Sequence, residues 1–584
     1  MVSKTEDPLV VPFLPSPSPS NQAFSASSPR GFSDYPEASA FTTFLCQIFA
    51  LCYKTLLRDF RRPVHFVTIL FIPALAGWGV KAIFDATTED TTDNEHVAYP
   101  TASPTAPPTP GWERNSMHCG ELPGEYGNVS MLLTAPIFFF AGSFVSSLMV
   151  AYSALEEKNK KLLSSLQRAG LSNLAHWLSL NISATIMSFP ATALAVLAGK
   201  LFQIDAFTKT NPLIMFMIVV GVSSANTSAS LLFTTIIRGG MLFTATMAFY
   251  LIYAMVMCTI KSNSSLLGTY GNSDEFEAPN GLGEFDGFYG DGVSPFYQFL
   301  MYLMPWTHFG RLFFGIFSVT GYADTCVNTR DFGFADLSAA SSSSRSGVPS
   351  LGFNVVGLIV DSIIFTLLAF YVSSVRGSED EHALPIYFIF DPNYWFPQET
   401  MLSTARDDGD VLRHEQILAA ASGDIRTRKL TKSYKGGNTA LKEVTIRFQK
   451  GECYALLGQN GAGKTTLISV LTGATNPSHG EAFVGPYGCI SKNMSNIQKK
   501  IGVCCQEDLI YEELSGYEHA IFYSMCRGRG WNLAREEAMS VLNSVTLQDH
   551  ASKRAKDYSG GMKRRLMVGL ATVGDPEYVF LDEP

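Results

Sequence analysis

Charged side chains are scarce in this chain of 584 residues. Asp, Glu, Lys and Arg make up 16 % of it and hydrophobic residues 46 %, whereas about a quarter of a typical soluble domain is charged. The 43 Lys and Arg residues are outnumbered by 52 acids, which gives a net charge of −9. The chain therefore lacks the excess of bases typical of nucleic-acid binding, and its composition predicts a membrane protein with no nucleic acid among its partners.

Two further kinds of motif are missing. The ten cysteines form no CxxC ladder and no zinc spacing, so most of them are predicted to be ordinary buried thiols. The first forty residues are rich in Ser and Pro and contain no apolar core of the signal-peptide type. Residues 1–40 are therefore predicted to be a disordered cytosolic tail.

Long apolar stretches occupy residues 41–376, which we predict to be a transmembrane domain. A helix needs about 20 apolar residues to cross a bilayer, and six stretches meet this length: about 64–83, 131–155, 177–198, 212–237, 241–260 and 351–372. Basic residues precede the first span and follow the second, whereas Arg114 is the only Lys or Arg between them. This asymmetry predicts an integral multi-pass protein with a cytosolic N-terminus and a cytosolic region after Arg376.

Two apolar segments do not fit a simple span. Residues 296–319 contain Pro305, His308 and Arg311, which favours an interfacial or re-entrant segment. Residues 41–63, "FTTFLCQIFALCYKTLLRDFRRP", mix apolar and basic positions. They are predicted to form an interfacial helix along the inner leaflet, with an extension of the first span as the alternative.

A charged segment, "EEKNKKLLSSLQRAGLSNLAHW", lies between the second and third spans. Its leucines Leu162, Leu163, Leu166 and Leu171 fall near helical spacing. The segment is either a short helix that docks on a cytosolic partner domain or a solvated loop.

Two membrane-domain features have open interpretations. Asp361 lies inside the sixth span, where an acid needs a partner or water; it is either a functional residue or a packing residue bonded to a neighbouring span. Cys119 and Cys326 are the two cysteines placed in outer loops, so their compartment alone suggests a disulfide.

The cytosolic half contains a phosphate-binding motif. An alternating and then apolar stretch, "TIRFQKGECYALLG", predicts strands that lead into "GQNGAGKTT". Glycines in such a loop let backbone N–H groups cradle phosphates at a helix N-terminus, the Lys reaches the β- and γ-phosphates, and the Thr ligates Mg²⁺. The predicted ATP-binding residues are Gly458, Gln459, Asn460, Gly461, Ala462, Gly463, Lys464, Thr465 and Thr466.

Two other motifs complete the predicted chemistry. "YVFLDEP" predicts a buried strand over residues 578–581 that delivers Asp582 to Mg²⁺ and Glu583 to the attacking water. "YSGGMKRRL" places Ser559, Gly560 and Gly561 before a basic helix start, where backbone N–H groups favour an anion.

In their order and spacing these motifs resemble the ATP-binding cassette (ABC) transporter family. The resemblance covers most of residues 430–584 and adds two positions: Gln506 after the strand "IGVCCQ", and Tyr434 in "LTKSYKGG", an aromatic that stacks on adenine. It implies that Gln506 senses the phosphate and the metal and contacts the segment near 160–167. The residues predicted at the metal are then Thr465, Gln506 and Asp582. It also implies that Ser559, Gly560 and Gly561 bind ATP held by the P-loop of a second cassette.

The membrane half resembles the A subfamily of these transporters. The charged segment between spans two and three resembles its coupling segment, and "VGLIVDSIIFTLLAFYVSSV" resembles its sixth span. The resemblance implies ATP-driven transport, with membrane lipids as the substrate and ATP and Mg²⁺ as cofactors. It also implies a second ABC half, supplied by a longer chain or by dimerisation.

The predicted fold class is therefore an α-helical polytopic membrane domain plus an α/β P-loop NTPase domain. Residues 377–424 are predicted to be a cytosolic linker and 425–584 a partial cassette, because the family continues past "DEP" with a loop and a histidine. We accordingly expect little hydrolysis from the chain ending at Pro584. Two alternatives stay open: a hydrolysis-deficient membrane partner that regulates another transporter, and an exporter of non-lipid substrates.

Overall fold

The computed structural model divides the chain into two compact units. Unit 1 comprises residues 1–58, 156–179 and 370–584, and unit 2 comprises 59–155 and 180–369. The structure describes isolated residues 67, 147, 296, 299, 302 and 303, together with the ranges 10–12, 39–63, 149–201, 205–236, 305–320, 331–338, 350–376, 384–391, 424–434 and 438–584.

Unit 1 contains the predicted α/β domain. Its strands are β1 (Val10–Pro12), β2 (Ile425–Ser433), β3 (Thr439–Val444), β4 (Arg447–Phe448), β5 (Tyr454–Leu456), β6 (His479–Val484), β7 (Ile501–Cys504) and β8 (Tyr578–Leu581). Strand β2 pairs antiparallel with β3, β4 and β6, while β1 pairs antiparallel with β5. Strands β7 and β8 are parallel, which is the pairing that brings the two carboxyl ends to one edge.

The helices of this domain pack on those strands and on one another. They are α9 (Lys464–Leu471), α10 (Ile490–Lys500), α11 (Gly516–Cys526), α12 (Trp531–Ser544) and α13 (Gly560–Thr572). Short 3₁₀ turns lie at Phe388–Phe390, Gly485–Tyr487, Gln548–His550 and Ala555–Asp557. Helix α11 begins in a capping box, in which the Ser515 hydroxyl accepts from the Glu518 amide and the Glu518 carboxylate accepts from the Ser515 amide.

The predicted burial of strand β8 is wrong in one respect. Tyr578 and Phe580 face the core of the domain, but Val579 and Leu581 are 44 % and 39 % exposed. Successive side chains of a strand point to opposite faces, so only one face of this apolar run packs. The tip nevertheless delivers a buried acid, because the side chain of Asp582 is only 9 % exposed.

Two helices from the N-terminal half belong to unit 1 with the cassette. They are α1 (Ala40–Arg61), which lies in this unit up to Arg58, and α2 (Leu162–Arg168). Leu162, Leu166 and Leu171 are buried in one apolar cluster with the cassette residues Phe522 and Leu566. The docking helix predicted from the leucine spacing is thus confirmed, and the solvated-loop alternative is wrong.

Helix α1 joins the same cluster through Ala50 and Leu51. The Gln47 amide donates to the carbonyls of Gly170 at 3.0 Å and Cys526 at 2.9 Å. Its carbonyl oxygen accepts from the Ser172 amide at 3.1 Å. One buried amide therefore ties α1, the end of α2 and the cassette together.

The remaining described helices are α3 (Asn173–Leu201), α4 (Asp205–Thr208), α5 (Pro212–Ile236), α6 (Pro305–Thr320), α7 (Phe334–Ser338) and α8 (Leu351–Arg376). Within unit 2, hydroxyl and amide groups link α3, α5 and α8. The Ser224 hydroxyl lies 2.8 Å from that of Ser362 and donates to the Asn181 carbonyl at 3.2 Å. Such small polar contacts allow apolar helices to pack closely in a membrane.

Three described helices are long and apolar enough to cross a bilayer by length and composition: α1, α5 and α8. Helices α5 and α8 coincide with predicted spans, and α3 covers the predicted span 177–198 without meeting that criterion. Helix α1 was predicted to be interfacial, and its position relative to a membrane stays a prediction.

Several predictions fall outside the described residues. These are the spans 64–83 and 241–260 almost entirely, most of the span 131–155, Cys119 and Cys326, nearly all of the tail 1–40, and most of the linker 377–424.

Candidate nucleotide-binding site

The predicted phosphate loop connects strand β5 to helix α9. Gly461 and Gly463 have φ values of 83° and 90°, in the left-handed region that glycine adopts without strain. A Cβ atom on Gly463 would lie 2.5 Å from the Ala440 carbonyl oxygen, whereas one on Gly461 would meet nothing within 4 Å. The loop is thus packed against β3 at one glycine and open at the other, as a backbone cradle for phosphates requires.

Lys464 is the first residue of helix α9 and folds back over this loop. Its ammonium donates to the carbonyls of Gly458 at 2.7 Å and Gln459 at 2.9 Å. These two contacts place its charge beside the loop that the sequence predicts to bind phosphates. An ammonium and open N–H groups at a helix N-terminus fit a triphosphate.

Thr465 and Asp582 meet beside the loop. The Thr465 hydroxyl donates to Asp582 Oδ1 at 3.3 Å, although 117 residues separate them in the sequence. A hydroxyl and a carboxylate are oxygen ligands that suit Mg²⁺, which takes its other ligands from phosphates and water. Their assignment to Mg²⁺ stays a prediction.

Gln506 and Glu583 are brought together by the parallel pairing of β7 with β8. Cys504 pairs with Leu581, and the Asp582 amide donates to the Cys504 carbonyl at 2.9 Å. The residues that follow each strand therefore lie side by side, and the Gln506 amide donates to Glu583 Oε2 at 3.0 Å. The two predicted catalytic residues share one edge, and Glu583 adopts a φ of 49°, which turns the chain there.

The signature residues lie at the start of helix α13. The Ser559 hydroxyl accepts from the Met562 amide at 3.3 Å as the helix N-cap. Ser559, Gly560 and Gly561 are exposed, and a Cβ atom on either glycine would meet nothing within 4 Å. The structure thus leaves these residues accessible, as the predicted contact with a second cassette requires.

Tyr434 follows strand β2 and is 44 % exposed. Its amide donates to the Asn438 carbonyl at 2.9 Å, and the Lys432 ammonium lies 5.3 Å from the centre of its ring. An exposed ring with a cation above it is available for stacking. Its contact with adenine stays a prediction.

Sequence reasoning missed Arg564, which holds the site together from helix α13. Its guanidinium donates to the carbonyls of Cys505 at 2.6 Å and Gln506 at 3.2 Å, and also to those of Asp582 and Glu583. The planar guanidinium has five donors, so one side chain can fix both segments. The only signal in the sequence is its position two residues after Met562 in "YSGGMKRRL".

The segment before Gln506 also contacts the docking helix. Arg168, the last residue of α2, donates to the Cys505 sulfur at 3.1 Å. Gln506 is thus one residue from a contact with the segment that the sequence predicts to be its partner. The fold and these residues define a P-loop cassette of the ATP-binding type.

Comparison with known proteins agrees with this class. Residues 441–584 match the ABC transporter family. The phospholipid-transporting ATPase ABCA3 of Rattus norvegicus is 33 % identical over 237 residues, which cover 39 % of this chain and 14 % of that protein. ABC transporter A family member 1 of Dictyostelium discoideum is 24 % identical over 470 residues, 77 % of this chain and 51 % of that one. ABC transporter A family member 9 of Arabidopsis thaliana is 26 % identical over 502 residues, covering 79 % and 50 %.

Residues 441–584 thus match the ABC transporter family, and over much of its length the chain is similar to members of the A subfamily. It spans between 14 % and 51 % of the length of the three relatives just described. Among solved structures, an ATP-binding subunit of an ABC transporter is 26 % identical and covers 27 % of this chain and 66 % of its own, with a TM-score of 0.26.

Replacing Arg564 with alanine is expected to lower the rate of ATP hydrolysis more than the affinity for ATP. Hydrogen bonds from a charged donor contribute about 1.5–3 kcal/mol, which corresponds to roughly a 10- to 150-fold loss in kcat. Arg564 touches the backbone that carries Gln506 and Glu583 but not the phosphate loop. Steady-state ATPase kinetics and nucleotide titration of the same preparation separate the two effects.

Arg565 provides the matched control for this experiment. It is the next residue on the same helix, and its guanidinium donates to the carbonyl of Thr546 at 3.2 Å, away from the site. Arg565→Ala should leave kcat close to wild type, and Arg564→Lys should recover part of the loss. Equal losses in kcat from both alanine variants would argue against a positioning role for Arg564.

Proposed function

We propose that the protein couples the binding and hydrolysis of ATP to the movement of lipids across a membrane. The observation that carries this proposal is the meeting of four predicted residues at one edge: Thr465 with Asp582, and Gln506 with Glu583. Bound Mg²⁺ would neutralise the developing charge on the phosphates. Thr465 and Asp582 would hold it, and Lys464 would hold the phosphates.

Glu583 is the residue proposed to orient and deprotonate the attacking water. Its carboxylate accepts a hydrogen bond from Gln506 at 3.0 Å, and its carbonyl accepts one from Arg564. A general base acts only when it is held within reach of the proton that it takes. In this proposal, Gln506 and Arg564 fix the side chain and the backbone of Glu583 respectively.

Coupling to the membrane domain is proposed to pass through helix α2. This helix is buried against the cassette, and Arg168 contacts the residue before Gln506. A displacement of Gln506 on nucleotide binding would therefore reach α2 through the contact between Cys505 and Arg168. ATP drives the cycle in this proposal by binding the closed arrangement of two cassettes more tightly than the open one.

Lipid is the proposed cargo because named relatives are phospholipid transporters. ABCA3 carries that description, as does the retinal-specific phospholipid-transporting ATPase ABCA4 of Mus musculus, which is 31 % identical over 247 residues. The second cassette is proposed to come from a longer chain or from a second copy.

The test is reconstitution of the full-length protein into phospholipid vesicles that contain fluorescent lipids. We expect ATP-dependent lipid movement in the wild type and its loss, together with ATP hydrolysis, in Glu583→Gln. Glu583→Gln should still bind ATP, because the phosphate loop and Lys464 are unchanged. Glu577→Gln, which removes an acid at the other end of the same strand, is the matched control and should retain activity.

The outcomes distinguish the candidate functions. ATP hydrolysis without lipid movement would contradict the lipid proposal and favour another cargo. Tight ATP binding with no hydrolysis in wild type or variant would favour the regulatory partner.

A further inference from the structure

A histidine and an aspartate are buried together in unit 2, where helix α6 meets helix α8. The His308 and Asp361 side chains are each about 1 % exposed, and His308 Nε2 lies 3.8 Å from Asp361 Oδ2. Neither residue belongs to the nucleotide site. Ionisable groups inside a membrane domain are costly unless they have partners, so their surroundings decide what they do.

The hydrogen bonds of His308 fix its protonation state. Nε2 lies 2.9 Å from the Tyr302 carbonyl oxygen, and Nδ1 lies 3.0 Å from Asn354 Oδ1. The Asn354 Nδ2 group donates to the Ser350 carbonyl at 3.2 Å, which leaves Oδ1 facing the imidazole. Both partners can only accept, so both ring nitrogens must donate, and an imidazole with two N–H groups carries a positive charge.

His519 in the cassette shows the opposite arrangement. Its Nε2 accepts from the Tyr511 amide at 2.9 Å, and its Nδ1 donates to the Ser515 carbonyl at 2.8 Å. One acceptor and one donor require the neutral ring. Burial likewise lowers the pKa of His519 to about 4. The two histidines are equally enclosed and differ in the groups that face them.

Asp361 is the acidic neighbour of the His308 ring. Among the described residues its Oδ2 atom has no hydrogen-bond partner, and it lies 3.8 Å from His308 Nε2. Among the described residues, the Tyr302 ring stacks on the imidazole, and Arg311, one turn further along α6, also acts on it electrostatically. The geometry points to a proton-binding site formed by His308 and Asp361. In its protonated state, the pair carries one proton more than a neutral imidazole beside an ionised carboxylate.

Helix α8 has a glycine where the His308 ring packs against it. Asn354, Gly357 and Asp361 lie at positions i, i+3 and i+7, on one face of the helix. A Cβ atom on Gly357 would lie 2.5 Å from His308 Cε1. Only glycine therefore allows the imidazole to reach both its amide partner and its carboxylate.

Loss of the proton would weaken the contact between α6 and α8. One ring nitrogen would then present a lone pair to an oxygen, and the attraction to Asp361 would disappear. The contact is therefore strongest when the site is protonated and is lost as the pH rises through the site's titration. The membrane domain would respond to pH by this route whether or not the cassette hydrolyses ATP.

The test is nuclear magnetic resonance of the full chain in lipid nanodiscs with ¹⁵N-labelled histidine rings. The chain has ten histidines, and the His308 signal is identified by its loss in His308→Gln. The titration covers about pH 5 to pH 8, where an unperturbed imidazole changes charge. We expect both His308 nitrogens to be protonated at the low end and one of them to lose its proton as the pH rises. His519 is the internal control and should remain neutral over that range.

Two variants keep the proposal falsifiable if His308→Gln does not fold. Asp361→Asn removes the counter-charge, so His308 should lose its second proton at a lower pH. Gly357→Ala leaves every titratable group in place but displaces the ring, and it should shift the titration in the same direction. A His308 signal that is neutral throughout, or a titration that Asp361→Asn does not move, would overturn the proposal.

Discussion

Replacing Lys464 with alanine weakens ATP binding by roughly 10- to 150-fold, because a hydrogen bond from a charged donor contributes about 1.5–3 kcal/mol. The ammonium lies over the phosphate loop, bonded to the carbonyls of Gly458 and Gln459. In the variant the loop keeps its N–H groups but loses the cation at its mouth. Titration of the full chain with a fluorescent ATP analogue measures the change in Kd.

Two controls accompany this experiment. Lys553 is an exposed lysine on the same domain, outside the phosphate loop, and Lys553→Ala should bind ATP as the wild type does. Lys464→Arg keeps the charge but changes its shape and should recover only part of the affinity. An unchanged Kd for Lys464→Ala would contradict the assignment of the phosphate loop.

Replacing Glu157 with glutamine destabilises unit 1 by about 3–5 kcal/mol, because it leaves buried cations without their counter-charge. Glu157 accepts hydrogen bonds from Lys54 at 2.8 Å and from Arg58, and these side chains are at most 2 % exposed. The Lys54 ammonium also lies 4.8 Å from the centre of the Tyr511 ring. The triad of Lys54, Arg58 and Glu157 therefore connects α1 and the start of the docking segment to the cassette.

Glu156 provides a matched control one residue away. It pairs with Lys160 at 2.9 Å on the helix surface, where the lysine side chain is 51 % exposed. Glu156→Gln should cost only about 0.3–0.5 kcal/mol. A double variant that also changes Lys54 to methionine should recover part of the loss from Glu157→Gln, because the unpaired charge is removed with its partner. Denaturant unfolding of all four proteins measures these differences, and similar losses for the two glutamate variants would contradict the role of the triad.

The same triad makes the stability of unit 1 depend on pH. Burial alone raises the pKa of Glu157, but the nearby Lys54 and Arg58 outweigh it and lower the pKa from its usual 4.5 to about 2. A carboxylate with a depressed pKa stabilises the fold fully above its unfolded value and loses that contribution as the pH falls. Glu157 should therefore stop stabilising unit 1 between about pH 4.5 and pH 2, and Glu157→Gln should lack this part of the acid transition.

The cassette was predictable because its motifs combine local chemistry with a fixed order. Gly461 and Gly463 sit where the loop needs positive φ, and Lys464 begins the helix that follows. The apolar run of β8 correctly predicted a strand, but the prediction that all of its residues are buried was wrong. Alternation of side chains put Val579 and Leu581 on the exposed face.

Long-range partners were less accessible to sequence reasoning. Lys54 and Arg58 counted only as basic residues near a span, yet they are buried against Glu157, about a hundred residues further along the chain. In the sequence Arg564 is one base in a basic run, whereas in the fold it donates to four backbone carbonyls. A charge pattern shows where cations are but not which of them will be enclosed.

The sequence by itself determined the chemistry that this protein can carry. It predicted a phosphate loop, an acid for Mg²⁺, a general base and apolar spans, because each of these patterns depends on residues that are close together in the chain. Only the tertiary structure decided which distant groups meet. Parallel pairing of β7 with β8 set Gln506 beside Glu583, and the approach of α6 to α8 at Gly357 set His308 beside Asp361. Register and helix packing fix such contacts, and both depend on the whole fold.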